Sequence, residues 1–321
     1  MLLEDKIVMS LIDNLKKGIR KNEKVNENIP VLVFICGERI LDDFGRPYDA
    51  AFLKSENNIR YHIMNLLNKY DVSGGFPNRK KHILSVISEY LYSDERPVDI
   101  LTFEKLLAEI SDKIVIVAES PGTFCELGAF ALDHRFASNL IVINQDNPDF
   151  KGSFITKGPI KKIRDLNEEN LILYTRKDRI LNTVQFMNMI KKLGLSRAAM
   201  QPNNESDKLV LKNLIYELAN IIEMFQPIEK YEIGEIFNTL KGFDKYSIVN
   251  KKEHKIDTYN KVIDLMEDMK LIEQMKNGFY QLSSDITCYD ALFNISRREF
   301  NQYRGRYLSR VYKIEPERMT I

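Results

Sequence analysis

The chain has few residues of the kinds that build metal sites or disulfide frameworks. It holds 3 cysteines and 4 histidines in 321 residues. Cys36, Cys125 and Cys288 are scattered and odd in number, which is typical of a reducing cytoplasm and gives no metal-ligand spacing. The histidines are equally dispersed. We therefore expect no metal site and no bound cofactor.

Long apolar runs are also missing. None approaches the ~18–20 residues that a membrane-spanning helix needs. The first residues lack the basic region and long apolar core of a secretory signal. The sequence thus predicts a cytoplasmic protein with no membrane partner.

Charge of one sign is not in excess. The net charge is +1, so the chain as a whole does not attract nucleic acid, and any such contact must come from a local patch. Hydrophobic residues make up 44% and charged residues 29%, which is typical of a soluble globular protein. The length allows two domains of ordinary size.

The first part of the chain alternates apolar strand-like runs with helical patterns. Because the runs are continuously apolar, they indicate buried parallel strands. The predicted strands are 30–36, 114–117, 140–144 and 171–174, with 83–92 ambiguous. The predicted helices are 5–28, 57–70, 99–110 and 123–134. This order predicts an α/β fold with a doubly wound, flavodoxin- or Rossmann-like parallel sheet.

The pattern changes after about Leu195, and a polar stretch over 201–207 is typical of a linker. We place the domains at 1–200 and 205–321. The second domain has helical patterns over 209–225, 228–240 and 257–273, then an Asn277-Gly278 hairpin signal within 272–282. Helices followed by a small hairpin predict a mostly helical, winged-helix-like domain. A basic helix over 295–318 follows it.

Two carboxylates flank the turn after the central strand. Glu119 comes at the carboxyl end of that strand and Glu126 lies on the next helix, and ligands of open α/β sheets bind at this edge. Glu126 has two interpretations of about equal weight. With Thr123 it fits a capping box, and alternatively it is a nucleophile held ionised by the helix start. Glu104, one helix earlier, could reach the same crevice or lie on a solvated face.

The segment Phe103-x-Glu104 through Glu126-Leu-Gly-Ala resembles the core signature of the nucleoside 2-deoxyribosyltransferase family. It is more similar to retron effector proteins of the deoxyribosyltransferase-like type. These share the Phe-Ile-Cys-Gly opening, the Glu-Ser-Pro-Gly core and a Ser-Phe-Ile-x-x-Gly-Pro element, here 153–159. The resemblance is close over roughly residues 30–165 and extends to the C-terminal part only in layout.

The resemblance implies a role for each acid. Glu126 corresponds to the family's nucleophile, Glu104 to its acid/base and Glu119 to its ligand for sugar hydroxyls. The transferases usually have Asp at the last two positions, so the substrate geometry is expected to differ. Arg60 matches an arginine of the retron effectors, and a guanidinium suits a phosphate, which favours a nucleotide such as NAD. Cys125, with no histidine partner, is expected to pack.

Six residues near the predicted crevice are candidates for substrate binding. They are Gly37, Arg60, Ser120, Gly122, Thr123 and Asn144. Gly37 ends the first strand, where a sugar or phosphate could approach the backbone. The interpretation of Arg60 as an ordinary surface arginine stays open.

The C-terminal helix is the better candidate for a nucleic-acid contact, because the helix at 257–273 is rich in acidic residues. The candidate contacts on the C-terminal helix are Arg297, Arg298, Arg304, Arg306 and Arg310. Cations interleaved with aromatic rings suit single-stranded nucleic acid. An amphipathic helix that packs Phe300, Tyr303 and Leu308 inward is an equal alternative.

Together these features predict an antiphage retron toxin that hydrolyses the N-glycosidic bond of NAD or a related nucleotide. The resemblance implies that the reverse transcriptase and its branched RNA–DNA product hold it inactive, and that the chain self-associates. Two alternatives stay open. One is a nucleotide-sensing, nucleic-acid-binding regulator without catalysis, and the other is a deoxyribosyltransferase of nucleoside salvage.

Overall fold

The structure is a computed structural model, and it describes most of the chain. The described residues are 2–19, 29–40, 58–69, 83–88, 99–148, 151–175, 180, 183–196, 211–241, 259–283, 286–289 and 291–319. Their contacts divide the chain into two units. The α/β unit runs from Val31 to Ser196, and the helical unit contains the residues before and after it. The first helix therefore groups with the C-terminal part, whereas the sequence pattern assigned it to the α/β region.

The α/β unit is built on five parallel strands. They are β1 (Val31–Cys36), β2 (Ile83–Val86), β3 (Lys113–Ala118), β4 (Leu140–Gln145) and β5 (Leu171–Tyr174). Their order in the sheet is β2-β1-β3-β4-β5, with every neighbouring pair parallel. This is the doubly wound, flavodoxin-like order that the alternation predicted.

Burial explains why these runs form strands. Every residue of β1 is buried, and β3 is buried from Ile114 to Ala118. Strands covered on both faces need apolar side chains at consecutive positions rather than at alternate ones. The ambiguous segment 83–92 begins with β2, and its remainder after Ser88 lies outside the described residues.

Helices lie between and after the strands. They are α2 (Ile59–Lys69), α3 (Ile100–Ile110), α4 (Pro121–Leu132), α5 (His134–Ala137), α6 (Lys161–Leu166) and α7 (Val184–Leu195). Asp99 caps α3, since its side chain accepts from the Thr102 N–H at 2.9 Å. A π-helical turn, Thr156–Ile160, leads into α6, and a 3-10 turn, Glu168–Asn170, leads into β5.

The helical unit contains a long central helix with partners around it. Its helices are α1 (Lys6–Lys17), α8 (Leu211–Phe225), α9 (Lys230–Lys241), α10 (Tyr259–Asp268) and α11 (Arg297–Ile314), with 3-10 turns Leu2–Glu4 and Pro316–Met319. Every residue of α8 from Lys212 to Phe225 is buried, so this helix forms the core of the unit.

Two helices of this unit are shorter than predicted. Helix α1 ends at Lys17 with Gly18 as its C-cap, and Ile19 then pairs with Phe293 in an isolated bridge; residues 20–28 lie outside the described part. Helix α10 ends at Asp268, because Lys270 adopts a positive φ of 59° and the chain turns into a strand.

The hairpin predicted around Asn277-Gly278 is present. Strands β6 (Ile272–Gln274) and β7 (Tyr280–Leu282) pair antiparallel, and Gly278 has the positive φ of 87° that favours glycine. The order of helices followed by a hairpin agrees with the predicted layout. The winged-helix assignment itself stays a prediction.

No helix in the described part of the chain combines the length and hydropathy required to cross a membrane. Within the same residues, no group of three or more His, Cys, Asp and Glu side chains is arranged to hold a metal ion.

Candidate active site at the carboxyl ends of the central strands

The candidate site lies where the strand order reverses. Chain order runs outward from β1 to β2 on one side, and from β3 to β4 and β5 on the other, so the carboxyl ends of β1 and β3 border the switch point. Helix α3 ends immediately before β3 begins, so its first half lies at the same edge of the sheet. The backbone positions of three acidic residues therefore lie at the carboxyl edge of the sheet: Glu104 on α3, Glu119 after β3 and Glu126 on α4.

Glu126 does not cap its helix. Helix α4 begins at Pro121, and its capping box joins the N-cap Ser120 to Thr123. The Thr123 N–H donates to Ser120 Oγ at 3.3 Å, and the Ser120 N–H donates to Thr123 Oγ1 at 3.0 Å. The predicted pairing of Thr123 with Glu126 is thus wrong, because proline at the first helical position starts the helix earlier. Glu126 lies in the second turn, where the helix dipole contributes little.

The thiol of Cys36 marks where two of the carboxylates meet. Cys36 ends β1, is 2% exposed and hydrogen bonds to Glu126. Burial raises the pKa of the Cys36 thiol well above its usual value, the charges of Glu126 and Glu104 raise it further, and Arg60 partly opposes them. Cys36 is therefore a neutral thiol, and its S–H can donate to the Glu126 carboxylate. Glu104 and Glu126 both lie close to the same sulfur.

Glu104 is buried rather than on a solvated face of its helix. It is 5% exposed, and Ser88 Oγ, just after β2, donates to Glu104 Oε1 at 2.8 Å. A buried carboxylate needs such donors, because a charge removed from water without them is costly. Ser88 therefore holds one oxygen of Glu104 at the edge where β1, β2 and β3 end.

Glu119 reaches the loop that follows β1. The Glu38 N–H donates to Glu119 Oε1 at 3.1 Å, and the Glu119 N–H donates to Thr123 Oγ1 at 3.2 Å. Glu119 thus spans from β3 to the chain just beyond Cys36. It joins the edge that carries Glu104 and Glu126.

Arg60 is a buried brace for the same loop and not a surface arginine. It is 1% exposed, and its Nε donates to the Ile35 carbonyl at 3.0 Å. Its Nη1 lies 3.3 Å from the Gly37 carbonyl and 3.5 Å from that of Glu38. The guanidinium therefore holds the end of β1 and supplies a fixed positive charge beside the carboxylates. Its role as a phosphate ligand stays a prediction.

Gly37 is required by this packing. A Cβ at position 37 would lie 3.0 Å from Arg60 Cβ and 3.3 Å from Val117 Cβ, closer than side-chain carbons normally approach. The space on the Cβ side of Gly37 is thus taken by Arg60 and Val117, while the approach of a sugar or phosphate to the Gly37 backbone stays a prediction.

The other candidate substrate residues lie along the same edge. Ser120 and Thr123 form the cap of α4, and Gly122 is exposed in its first turn. Asn144 pairs with Ala118 in the sheet, and its Nδ2 donates to the Gln145 carbonyl at 2.9 Å. These residues border Glu119.

Cys125, predicted to pack, is exposed instead.

The arginines of α11 divide into two sets. Arg297 pairs with Glu223 at 2.9 Å and stacks on the Tyr289 ring, 4.6 Å from its centroid. Arg310 pairs with Asp5 of α1. Burial lowers the pKa of Arg304, which is half-buried. These three contribute to the helical unit, as does Phe300, which is fully buried.

Arg298 and Arg306 are the exposed members of the predicted set. They share the outer side of α11 with Lys313, and Tyr312 nearby is 71% exposed. Two of the five arginines thus remain as candidates for a nucleic-acid contact, and the amphipathic interpretation accounts for the inner face.

Two residues of the site were missed in the sequence. Cys36 counts among the scattered cysteines and lies in the Phe-Ile-Cys-Gly opening, but neither pattern gives it a role, and Ser88 lies in the ambiguous segment 83–92. A Cys or Ser within two positions of the end of a buried strand is the signal that could have found both.

The fold and site define a class: an α/β protein with a doubly wound sheet and three carboxylates, one of them buried, at its switch point. Residues 56–274, more than half of the chain, match the family model described as "STM3845 retron effector protein". The chain therefore belongs to this retron effector family.

Two relatives from Escherichia coli extend the match. The chain is 26% identical over 287 residues to "Retron Ec86 putative ribosyltransferase/DNA-binding protein", covering 86% of this chain and 83% of that protein. It is 22% identical over 253 residues to "Retron Ec73 putative ribosyltransferase/DNA-binding protein", covering 74% and 75%.

Proposed function

We propose that this retron effector is a deoxyribosyltransferase-like N-glycosidase that hydrolyses NAD or a related nucleotide and so acts as an antiphage toxin. The observation that carries the proposal is the convergence of Glu104 and Glu126 on the Cys36 thiol, with Glu119 joined to the loop two residues further on. Three carboxylates at a sheet switch point suit chemistry at an anomeric carbon.

Glu126 is the nucleophile in this mechanism. Its carboxylate attacks C1′ of the ribosyl group, the C1′–N bond breaks, and the base leaves with the bonding electrons. A covalent ribosyl–Glu126 ester forms. The S–H of Cys36 fixes the rotamer of the carboxylate, while the buried charge of Arg60 balances part of the negative charge.

Glu104 manages the proton. It removes a proton from the water that attacks C1′ of the ester, and this regenerates the Glu126 carboxylate. With NAD the nicotinamide leaves as a neutral molecule and needs no proton, so Glu104 acts only in this second step. With a purine nucleotide it would also protonate the leaving base. Ser88 orients Glu104 for both steps.

Glu119 orients the sugar hydroxyls. One of its oxygens accepts from the Glu38 N–H, which fixes the side chain beside the turn into α4. The preference for a nucleotide over a nucleoside now comes from the family resemblance alone, since Arg60 contacts backbone carbonyls. The assay must therefore compare both kinds of substrate.

The retron context supplies the regulation in this proposal. The relatives are named as ribosyltransferase and DNA-binding proteins, which supports glycosyl chemistry together with a nucleic-acid partner. We place the reverse transcriptase and its branched RNA–DNA product as the inhibitor, with Arg298 and Arg306 on α11 as contacts. Self-association, as in the transferases, is part of the proposal, and light scattering of the purified chain tests it.

The test measures products from purified protein. Wild type and Glu126→Gln are each incubated with NAD, a deoxynucleoside monophosphate and the matching deoxynucleoside, and products are separated by chromatography. We expect wild type to release nicotinamide and ADP-ribose from NAD. Glu126→Gln should be slower by at least about 10⁴-fold, as when a catalytic nucleophile is removed.

Glu235→Gln on an exposed turn of α9 is the matched control, because it makes the same substitution far in sequence from the site. It should behave as wild type. Equal rates for Glu126→Gln and wild type, or recovery of all three substrates intact, would overturn the glycosidase.

Transfer is the second candidate, favoured by the ribosyltransferase in the relatives' names. Adding an excess of a labelled free base to the same assay separates the two reactions. Hydrolysis gives no labelled nucleotide, whereas transfer incorporates the label.

A further inference from the structure

A basic surface lies on the α/β unit, in a segment that the glycosidase mechanism does not use. Residues 151–166 carry Lys151, Lys157, Lys161, Lys162 and Arg164 against one carboxylate, Asp165. The whole chain has a net charge of only +1, so this segment is a local concentration of positive charge.

The π-helical turn gives the surface its shape. Lys157, Lys161 and Lys162, with Gly158, Asp165 and Leu166, line an open groove of about 360 Å³. Lys157 and Lys161 are both exposed. Lys157 lies near the start of the π-helical turn, and Lys161 is the first residue of α6. Arg164 is drawn to Asp165, 3.9 Å away, so the lysines supply the free charge.

An aromatic ring stands beside the groove. Phe154 is 84% exposed, and its ring edge lies 3.6 Å from where a Cβ of Gly158 would be. The tip of the ring thus lies on the Cβ side of Gly158, a groove residue without a side chain, while most of the ring is open to solvent. An exposed ring beside a cationic groove offers an apolar face on which a flat ligand can stack.

We propose that this surface, which we call the Phe154 groove, binds single-stranded nucleic acid. Lysines contact the phosphates, and a base stacks on the exposed face of the Phe154 ring. Aromatic platforms beside cationic grooves bind single strands in this way, whereas a duplex keeps its base faces stacked inside. An acidic protein would satisfy the lysines but has no comparable use for an exposed ring face.

The groove is separate in sequence from the arginines of α11 and from the three carboxylates. Its π-helical turn packs against α4, the helix that carries Glu126. The proposal does not depend on the glycosidase, since binding can be measured without any reaction. It adds a nucleic-acid contact on the α/β unit itself.

Binding of a fluorescein-labelled 15-nucleotide oligo(dT) to the full chain, followed by anisotropy, tests the groove. A single-strand contact contributes about 0.7 to the slope of log K against log salt, which corresponds to about fivefold in affinity at 0.1 M salt. Lys157→Gln with Lys161→Gln should therefore lower the slope by about 1.4 and weaken binding about 25-fold. Lys16→Gln with Lys17→Gln, two exposed lysines of α1, is the control and should change binding less than twofold.

Phe154→Leu distinguishes stacking from plain charge, because it keeps apolar bulk and removes the ring. We expect it to weaken binding about 5- to 150-fold with the salt slope unchanged, and Phe154→Tyr to keep wild-type affinity. All of these side chains are exposed, so the variants should fold, and circular dichroism checks this.

Three results would overturn the proposal. They are wild-type affinity in Phe154→Leu, equal losses in the α1 lysine control and the groove variant, and the absence of oligo(dT) binding by wild type. A glycosidase that fails its own assay while these binding differences appear would leave the groove assignment standing.

Discussion

The two units bury charge in different ways. In the helical unit, each buried carboxylate that forms an ion pair has a cation of its own. Arg318, 2% exposed, pairs with Glu232, 1% exposed, and its Nη2 donates to Oε1 at 2.9 Å. Glu217 pairs with Lys241, and Glu223 with Arg297.

In the α/β unit the carboxylates of buried Glu104 and half-buried Glu126 gather instead of pairing singly. Glu104 and Glu126 meet at one thiol, and the guanidinium of Arg60 beside them is bonded to backbone carbonyls. Paired buried charges make a structure specific, whereas like charges gathered at a crevice destabilise it and are retained for chemistry. The difference separates residues that hold the fold from residues that we assign to the reaction.

After Glu126→Gln, neutralising Glu104 gives the largest expected effect. Glu104→Gln should lower the hydrolysis rate about 10²–10⁴-fold, because the attacking water loses its base. Unfolding in urea should show equal or greater stability, since a like charge near Glu126 is removed. Glu109→Gln, on the same helix but paired with exposed Arg135, is the control and should leave the rate unchanged. A large loss of stability in Glu104→Gln would mean that it belongs with the structural charges.

Removing Arg318 should have the opposite signature. Arg318→Ala leaves Glu232 buried without its partner, so the free energy of unfolding should fall by about 3–5 kcal/mol with activity of the folded protein retained. Urea titration measures this. Arg135→Ala breaks an exposed pair and should cost less than about 1 kcal/mol. Equal losses in the two variants would contradict the distinction between buried and exposed pairs.

Cys36 should make stability depend on alkaline pH. Because its pKa is raised on folding, the unfolded chain releases this proton above the usual value of 9.0 while the folded chain keeps it. The stabilisation is therefore complete below pH 9 and is lost as pH rises, by up to about 1.4 kcal/mol per pH unit. Urea unfolding of wild type and Cys36→Ala from pH 8 to 10.5 measures the difference. Parallel pH profiles for the two proteins would show that Cys36 ionises equally in both states.

Ser88 should give the smallest effect. Ser88→Ala removes one donor to Glu104 and should lower the hydrolysis rate about tenfold, because a hydrogen bond to a charged group contributes about 1.5 kcal/mol or more. Ser88→Thr keeps the hydroxyl and should restore most of the rate. If Thr and Ala lose activity equally, packing rather than the hydrogen bond explains the effect.

Local patterns predicted much of the fold and less of the site. The apolar runs gave β1, β3, β4 and β5 to within one or two residues, because buried parallel strands need unbroken apolar sequence. The start of α4 was placed two residues late. Proline is favoured at the first helical position, so Pro121 after Ser120 begins the helix rather than belonging to the preceding turn.

The contacts that define the site are long-range, so no local pattern could give them. Arg60 is buried against Gly37 because the first turn of α2 lies beside the end of β1, and an arginine in a helical sequence gives no sign of that. Cys36 meets Glu104 and Glu126 only when three strands end at one edge. The type of chemistry could be proposed from spacing and resemblance, whereas the role of Arg60 required the folded chain.

The α/β unit begins at Val31 and ends at Ser196, so it is an insertion within the sequence of the helical unit. Shortening the gene near codon 200 would therefore not separate the two modules. It would remove α9 and α11, the helices that pack against α1, and leave Val8, Leu11 and Leu15 of that helix exposed. Independent expression of the α/β unit calls for boundaries at 31 and 196, with both segments of the helical unit removed together.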